Sequence, residues 1–359
     1  MAYYLRLPKD TDLTFDQREA IYEKAPIALS GHAGTGKTIV SLYRHIVNLK
    51  ENKNFILTTY TKSLTTYLKM ALEDNQKHSV RTSYKFFYSI RNSVTSFDEI
   101  IIDEAQDLPY EILKIFRDKA KRVSYGADFN QKLYNNTILP EQIVELFPNN
   151  KTILLEEHFR NSYAILRFVK AIFPKLKISQ DVLDELKEEN YGYKPEIFIG
   201  KDFEDEIYQI KKLVNEFHSD THNIAILLPF GRKKYGFDNL SVEEFVNFLD
   251  GEFNFSYYYS SENDVYIDNI HITTFKSAKG LEFDTVIIPS MHKINDIIKK
   301  EEYISERDYY VGFTRARTNL FLTTQTDKFK NKNVVEIKNI EREKFNIPSI
   351  DIDEEDILF

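Results

Sequence analysis

The sequence contains no cysteine and no tryptophan, and its 359 residues include only 11 glycines and 10 prolines. Without cysteine, disulfide bonds and thiolate chemistry are excluded. No apolar run approaches the roughly 18 residues that a membrane-spanning helix needs. The opening residues, MAYYLRLPKD, also lack the basic and apolar regions of a secretory signal. These absences predict a soluble, cytoplasmic protein.

A positive net charge is missing too, because 48 Lys and Arg are outnumbered by 56 Asp and Glu, which gives a formal charge of -8. Such a chain cannot coat nucleic acid by overall electrostatic attraction. Any nucleic-acid binding must therefore use a local groove, with aromatic stacking as the natural supplement. The 23 Tyr and 27 Phe supply candidates, although most aromatic side chains at this frequency belong to a core.

Short apolar segments alternate with amphipathic helical segments, a pattern typical of α/β folds with parallel sheets. At about 150 residues per domain, the length suggests two domains. The apolar pattern restarts near Asn149 and Asn150, which predicts domains of residues 1–149 and 150–345 and an acidic tail of residues 346–359. The tail is interpreted as a frayed end or, alternatively, as a peptide that docks on a partner. The predicted strands include Ile27–Ser30, Phe55–Thr59, Ile100–Ile102, Val123–Tyr125, Ile153–Leu155, Ile224–Leu228, Ile270–Thr274, Val286–Pro289 and Leu320–Thr323.

The segment GHAGTGKT lies between an apolar strand and a helix, which is the context of a phosphate-binding P-loop. Its glycines permit a tight backbone path whose amide groups point at phosphate oxygens. Lys37 would neutralise the β and γ phosphates, and Thr38 would hold Mg²⁺. The predicted ATP-binding residues of this loop are Gly31, His32, Ala33, Gly34, Thr35, Gly36, Lys37 and Thr38.

The segment FDEIIIDEAQD ends an apolar strand with two carboxylates, Asp103 and Glu104. Asp103 would bind Mg²⁺ through water, and Glu104 would orient or deprotonate the attacking water. Such a pair alone is most often an exposed strand end. Together with the upstream P-loop it predicts nucleoside triphosphate hydrolysis.

These motifs, together with one segment upstream and others that come in order along the chain, resemble the superfamily 1 helicases of the UvrD/Rep type over nearly the whole chain. The resemblance implies two RecA-like P-loop NTPase domains that hydrolyse ATP between them, with ATP and Mg²⁺ as cofactors. It also implies movement along a single strand, DNA being favoured over RNA, in the 3′-to-5′ direction.

Several nucleotide contacts follow from this resemblance alone. LTFDQREAI resembles the adenine-reading motif, in which Gln17 would make two hydrogen bonds to the base. YGADFNQKLY resembles the third motif, with Gln131 at the γ-phosphate. LLEEHFRNS resembles the fourth motif, with Arg160 toward the γ-phosphate and Phe159 stacked on adenine.

The last two motifs add one nucleotide contact and one catalytic group. ITTFKSAKGLEFDTVII resembles the fifth motif and places Glu282 at the ribose. YYVGFTRARTNL resembles the sixth motif, in which Arg315 would be an arginine finger contributing ~10³ to 10⁵ in rate. The implied catalytic residues are Lys37, Glu104, Gln131, Arg160 and Arg315.

Strand contacts are implied by the third and fifth motifs and by two shorter segments, LTTYTKSL and VRTSYKFF, which resemble motifs Ia and Ib. Aromatic side chains there would stack on bases without reading sequence. The strand-contacting residues implied in this way are Tyr60, Thr82, Tyr134, Thr274, Lys276 and Lys279.

The sequence also departs from this family. Asn135 and Asn136 replace a typical Arg-Trp pair, and Lys276 stands where many relatives have His. The spacing of the motifs leaves no room for the large accessory insertions 1B and 2B. We therefore expect a motor that unwinds duplexes poorly alone and needs a protein partner, or dimerisation, for the missing surface. Efficient unwinding of a tailed duplex by the purified monomer would contradict this.

Two functions remain open at this point. One is a translocase or helicase driven by ATP, and the other is a nucleotide-driven switch or regulatory subunit of a repair or phage-defence complex. Strong stimulation of the ATPase by single-stranded DNA would favour the first. A P-loop kinase is disfavoured, because Gln131, Arg160 and Arg315 would then have no role.

Overall fold

The computed structural model describes residues 2–32, 34–51, 53–129, 132–134, 136–157, 159, 161–175, 178, 180–259 and 265–326. The chain divides into two compact units. The first unit is Leu5–Phe159, and the second unit is Met1–Tyr4 together with Arg160–Phe359.

The first unit is built on a six-stranded sheet in which all neighbouring strands are parallel. Its strands are β1 (Ile27–Gly31), β2 (Phe55–Thr59), β3 (Val80–Thr82), β4 (Phe97–Ile102), β5 (Ala120–Gly126) and β6 (Lys151–Leu155). Their order across the sheet is β3-β2-β4-β5-β1-β6. The helices of this unit are α1 (Phe15–Tyr22), α2 (Lys37–Leu49), α3 (Lys62–Met70), α4 (Ser83–Ile90), α5 (Tyr110–Lys119) and α6 (Pro140–Leu146).

Alternation along the strands puts core side chains on both faces of this sheet. In β1, Ala28 belongs to the cluster that includes Phe86 of α4 and Phe116 of α5. Its neighbour Leu29 belongs to a second cluster that includes Val40 of α2. Helices therefore cover both faces, and the strand ends remain as the place where polar side chains can gather.

The second unit repeats this plan with another six-stranded sheet of parallel neighbours. Its strands are β7 (Glu196–Ile199), β8 (Ile224–Leu228), β9 (Ser256–Tyr258), β10 (Ile270–Thr274), β11 (Phe283–Ile288) and β12 (Ala316–Thr324). Their order is β7-β12-β11-β8-β10-β9. The helices are α7 (Tyr163–Ile172), α8 (Gln180–Glu189), α9 (Phe203–Phe217), α10 (Val242–Leu249), α11 (Ile294–Lys300) and α12 (Glu306–Phe313).

The predicted α/β class with two RecA-like domains is confirmed by these two parallel sheets. The division between the units differs from the predicted one at Asn149 and Asn150. Strand β6 follows Asn150 but pairs in parallel with β1 from Ile27 to Gly31, so it belongs to the first unit. The physical reason is that main-chain hydrogen bonding, rather than the restart of the apolar pattern, decides sheet membership.

The first residues of the chain join the second unit. Ala2 forms an antiparallel bridge with Asp268. The backbone N–H and C=O of Tyr4 both bond to the side-chain amide of Asn223, each at 2.8 Å.

The predicted acidic tail of residues 346–359 lies outside the described residues. Among the described residues, no helix has the length and apolarity needed to cross a membrane.

Candidate functional site

The loop between β1 and α2 has the backbone path that its glycines predicted. Gly31 has φ 148° and Gly36 has φ 88°, both in the region that favours glycine. A Cβ on Gly31 would lie 2.5 Å from the carbonyl oxygen of Leu155, and one on Gly36 would lie 2.5 Å from Nε2 of Gln17. Because α2 begins at Lys37, the loop delivers the chain directly to a helix N-terminus, where amide groups favour anions.

Lys37 is folded back over this loop. Its Nζ donates to the carbonyl oxygens of Gly31 and His32, both at 2.8 Å. It also lies 3.9 Å from Oδ2 of Asp128, and its side chain is only 9% exposed. The ammonium group is thus held by the backbone of the loop, at the position where phosphate oxygens would bind.

The P-loop is joined to the strand that carries the predicted carboxylates. Oγ1 of Thr38 donates to Oδ2 of Asp103 at 2.8 Å, and Asp103 follows the end of β4 with a side chain that is almost fully buried. A hydroxyl and a carboxylate are hard oxygen donors of the kind that Mg²⁺ prefers. Mg²⁺ usually takes only one or two protein carboxylates and fills its other positions with water and substrate phosphate. Thr38 and Asp103 therefore fit the predicted metal.

Glu104 occupies a backbone conformation that few residues adopt. Its φ of 60° and ψ of 43° are left-handed, which costs on the order of 1–3 kcal/mol for a residue with a Cβ. Its carboxylate accepts a hydrogen bond from Nε2 of Gln106. The Oε1 of Gln106 in turn accepts the backbone N–H of Asp128 at 3.1 Å. Gln106 thus links the ends of β4 and β5.

Gln106 and Asp128 were not among the predicted site residues, although Gln106 lies in the motif DEAQD and Asp128 in the motif YGADFNQ. Both are buried and polar. A polar side chain in an otherwise apolar strand end is the signal that would have marked them.

The residues predicted to surround the adenine contact the P-loop. Nε2 of Gln17 donates to the carbonyl of Thr35 at 3.1 Å, while its Oε1 accepts the backbone N–H of Thr14 at 3.1 Å. The backbone N–H of Phe159 donates to the carbonyl of Gly34 at 3.0 Å, and the Phe159 ring is 48% exposed. The side-chain amide of Gln17, which the resemblance assigns to the adenine base, is therefore bonded to the P-loop in this structure.

Three other predicted residues, Ala33, Gln131 and Arg160, lie outside the described residues.

An aromatic cluster lies where strands of the first sheet end. Tyr60, directly after β2, stacks on Tyr134 with ring centroids 4.3 Å apart and meets Tyr84 edge-on at 5.7 Å. Thr82 ends the neighbouring strand β3. Partial burial raises the pKa of the Tyr60 hydroxyl, so this phenol stays protonated at neutral pH. The structure thus brings Tyr60 and Tyr134, two predicted strand contacts, into one group, and we call Tyr60, Tyr84 and Tyr134 the aromatic cluster.

In the second unit, the segment after β10 is held by its own side chains. Oγ1 of Thr274 donates to Oγ of Ser277 at 3.0 Å. Nζ of Lys276 donates to the carbonyl of Tyr303 at 2.6 Å and lies 3.7 Å from Oδ1 of Asp308. Burial raises the pKa of the Asp308 carboxyl, and the nearby Lys276 ammonium opposes that shift.

Glu282 and Lys279 are also engaged within this unit. Oε1 of Glu282 accepts Nη1 of Arg317 at 2.8 Å, and the Glu282 carbonyl accepts the hydroxyl of Tyr3. Lys279 is almost completely buried. Tyr3 comes from the opposite end of the sequence, so sequence spacing gave no sign of its contact with Glu282.

Arg315 is one of the largest fully buried side chains among the described residues. Its Nε donates to the carbonyl of Val311 at 2.9 Å, its Nη1 to the carbonyl of Leu281 at 3.2 Å, and its Nη2 to Oγ1 of Thr314 at 3.3 Å. The guanidinium group in this structure therefore ties together the segments before β11 and β12.

Two family models match the sequence. Residues 233–327 match the UvrD-like helicase C-terminal domain, and residues 24–198 match the Schlafen group 3 DNA/RNA helicase domain. Both matches are to helicase domains, and they support the assignment of the chain to superfamily 1 of the helicases. The Schlafen-type match contains Lys37, Asp103 and Glu104, and the UvrD-like match contains Thr274 and Arg315. No curated protein matches it by sequence.

Solved helicase structures resemble it distantly. The arterivirus nonstructural protein 10 helicase is 14% identical with a TM-score of 0.41, over 88% of this chain and 62% of that chain. Its complex with DNA is 15% identical with a TM-score of 0.42, over 88% of this chain and 64% of that chain. The PRRSV helicase is 12% identical with a TM-score of 0.41, over 86% of this chain and 54% of that chain. This chain thus spans less than two thirds of the length of these proteins.

Proposed function

We propose that this protein is an ATPase that translocates along single-stranded DNA, using the first unit to bind ATP and Mg²⁺. The carrying observation is the hydrogen bond of 2.8 Å between Thr38 and Asp103, beside a lysine held inside a P-loop. It puts the phosphate-binding loop and the acidic strand end in direct contact. That is the arrangement that hydrolysis of a nucleoside triphosphate needs.

Each polar group of this site has a proposed role. The amides of the P-loop and the N-terminus of α2 bind phosphate oxygens, and Lys37 neutralises them. Thr38 and Asp103 hold Mg²⁺, which supplies charge neutralisation when it is bound. Glu104 orients the attacking water and accepts its proton.

The hydrogen bond between Gln106 and Glu104 supports this role of Glu104, because it fixes the carboxylate in one orientation. Gln106 also accepts the backbone N–H of Asp128, so it connects the Glu104 carboxylate to the segment that leads to Tyr134. We propose that this link couples hydrolysis to strand binding.

The aromatic cluster supports strand binding in the first unit. Tyr60 and Tyr134 stack on each other and offer π faces on which bases can stack at about 1–3 kcal/mol each. Such contacts are tolerant of sequence, as a translocase requires. The proposal further specifies that the strand is DNA rather than RNA and that movement is in the 3′-to-5′ direction.

The second unit contributes Thr274 and Lys276 to strand binding and Glu282 to ribose binding in this proposal. Arg315 contributes as the arginine finger. We also propose that a protein partner or a second copy supplies the surface that the missing accessory insertions provide elsewhere.

The test is the steady-state ATPase rate of the purified protein with and without oligothymidylate. We expect stimulation of about tenfold or more by the strand, and we expect Tyr60→Ala to lose most of that stimulation while keeping the basal rate. Tyr22→Ala is the matched control, because Tyr22 is exposed on α1 of the same unit. An ATPase that ignores the strand would favour the nucleotide-driven switch instead.

Polarity is measured separately. A streptavidin-displacement assay with biotin at either end of an oligonucleotide reports the direction of movement. Displacement only from the 5′ end supports 3′-to-5′ translocation, and displacement only from the 3′ end contradicts it.

A further inference from the structure

Helix α4 has an exposed face that packing does not explain. Phe86 and Ile90 are buried, and Oγ of Ser83 donates to the carbonyl of Thr59 at 3.2 Å, so one side of the helix is fixed to the sheet. On the other side Tyr84 is 36% exposed and Tyr88 is 59% exposed. Exposed aromatic side chains that adjoin one another, rather than single scattered ones, form the kind of patch that marks an interaction site.

These tyrosines form a row that ends in a cation. Tyr84 and Tyr88 are four residues apart and therefore lie on the same face of the helix, about one turn from each other. The guanidinium carbon of Arg91 lies 4.9 Å from the centroid of the Tyr88 ring. We call Tyr84, Tyr88 and Arg91 the α4 stripe.

The α4 stripe is continuous with the aromatic cluster. Tyr84 belongs to both, because its ring meets Tyr60 edge-on at 5.7 Å. A strand that stacks on Tyr60 and continues past Tyr84 reaches Tyr88 next. The stripe thus prolongs the proposed strand site along the surface of the first unit.

The local charge suits a polyanion. The segment from Asn75 to Phe97 contains four Lys and Arg and no Asp or Glu, within a chain whose formal net charge is -8. Two of these cations, Lys85 and Arg91, are exposed beside the tyrosines. A protein partner that bound through an apolar helix face would gain little from them, whereas phosphates gain a contact from each.

We propose that the α4 stripe is a second binding subsite for single-stranded nucleic acid, in which Tyr88 stacks on a base and Arg91 contacts a backbone phosphate. This inference rests on the proposed function, because it extends the strand site of the aromatic cluster. The stripe lengthens the bound segment of the strand rather than changing the chemistry at the nucleotide.

The experiment measures the dissociation constants of labelled oligothymidylates of about 4 to 16 nucleotides, by fluorescence anisotropy. We expect Tyr88→Ala to weaken binding of the longer oligonucleotides by about 5- to 150-fold, the equivalent of one stacked base, and to leave the shortest ones unchanged. Tyr88→Phe, which keeps the ring, should bind like wild type. Tyr22→Ala serves as the exposed-tyrosine control.

Arg91 is tested by the salt dependence of the same binding. Loss of one phosphate contact reduces the slope of log Kd against log salt by about 0.7 for a single strand. We expect this reduction for Arg91→Ala and its recovery for Arg91→Lys. Unfolding temperatures of the variants establish that they remain folded.

The outcomes separate the two proposals. If wild type binds no oligonucleotide of any length, the proposed function fails and this inference with it. If wild type binds and Tyr88→Ala binds equally well at every length, only the α4 stripe is contradicted. If Tyr88→Ala keeps strand binding but loses self-association in sedimentation, the stripe is a protein contact and the inference is overturned.

Discussion

The two units share one architecture, a six-stranded parallel sheet with helices, but they hold their candidate functional residues differently. In the first unit these residues bond to one another, as in the contacts of Thr38 at the start of α2 with Asp103 and of Gln106 with Glu104. In the second unit Arg315 bonds to carbonyl groups of its own surroundings. The same frame thus carries a connected polar site in one unit and separately anchored charges in the other.

This difference has a physical consequence. The paired polar groups of the first unit are preorganised for a charged ligand, although Lys37 must also exchange its two carbonyl acceptors for phosphate oxygens. A buried guanidinium that already donates to carbonyls must exchange those bonds before it can act on a phosphate, and that exchange requires a conformational step. We therefore expect the first unit to control nucleotide affinity and the second unit to control turnover.

The largest effect is expected for Arg315→Ala. If Arg315 is the arginine finger, its removal lowers kcat by about 10³- to 10⁵-fold while nucleotide binding remains. Steady-state ATPase rates and titration of a fluorescent ATP analogue measure the two quantities. Full activity of this variant would mean that Arg315 only ties its own unit together.

Arg44 provides the matched control in the first unit. It is equally buried, and it is paired with the buried Glu99 at 2.9 Å, away from the P-loop contacts. Removing one partner of such a pair costs about 3–5 kcal/mol of stability. Arg44→Ala should therefore lower the unfolding temperature but keep the kcat of the folded protein, which separates loss of packing from loss of chemistry.

Lys37→Ala tests the other half of the comparison. Its ammonium group lies inside the P-loop, so its loss should weaken ATP binding as well as lower turnover, by about 10²- to 10³-fold in kcat/KM. The analogue titration should show the loss of affinity directly. If ATP affinity is unchanged and only kcat falls, Lys37 acts in the transition state alone. The expected difference between Lys37 and Arg315 would then be contradicted.

A smaller effect is expected for Gln106→Ala. The change frees the Glu104 carboxylate from its donor, so we expect a loss of kcat of about tenfold, on the scale of one charge-assisted hydrogen bond of about 1.5–3 kcal/mol. Gln325 makes the equivalent bond in the second unit, with Nε2 2.7 Å from Oε1 of the buried Glu206. Gln325→Ala should leave kcat unchanged. Equal losses in both variants would indicate a general effect of stability.

The smallest effect concerns pH, and each unit contains a deeply buried histidine on which it can be tested. Burial lowers the pKa of His45 in the first unit and of His271 in the second unit, each from 6.5 to about 3. Their ring nitrogens contact Ser79 at 2.8 Å and Ser256 at 2.7 Å, respectively. Both histidines are thus neutral in the folded state and protonated below pH 6.5 in the unfolded state.

Since the unfolded state binds more protons in that window, both residues support folding fully above pH 6.5, and their contribution is lost as pH falls toward 3. His45→Phe and His271→Phe should each reduce the fall in unfolding temperature between pH 7 and pH 5. Thermal unfolding followed by circular dichroism at several pH values measures this. A wild-type pH dependence retained in either variant would contradict the assignment for that unit.

The sequence predicted the central strands well and missed short ones. Strands β3, β7 and β9 were not predicted, and each lies at or beside a sheet edge with only three or four residues. Edge strands face solvent and need no continuous apolar run, so the pattern that reveals β8 or β11 is absent from them. The boundary between the units differs for another reason: β6 was predicted as a strand, but its hydrogen bonds to β1 place it in the first sheet.

The candidate site divides in the same way. Residues of contiguous motifs, such as Lys37, Thr38 and Asp103, were predictable because their spacing and flanking strands carry the chemistry. The contacts of Gln106 with Asp128 and of Tyr3 with Glu282 were not, because each joins segments that are distant in sequence. The exposed row on α4 also needed the structure, since helical position and burial together distinguish Tyr88 from a core aromatic.

The sequence by itself determined the class of the fold, the P-loop and the acidic strand end, because each depends on local composition and on short-range spacing. Only the tertiary structure decided which charges meet. Hydrogen bonds between strand ends depend on the order of strands in the sheet, β3-β2-β4-β5-β1-β6, and that order differs from the order along the chain. The continuity of Tyr60 with the α4 stripe, and the contacts of Arg315 within the second unit, likewise follow from packing rather than from the spacing of motifs.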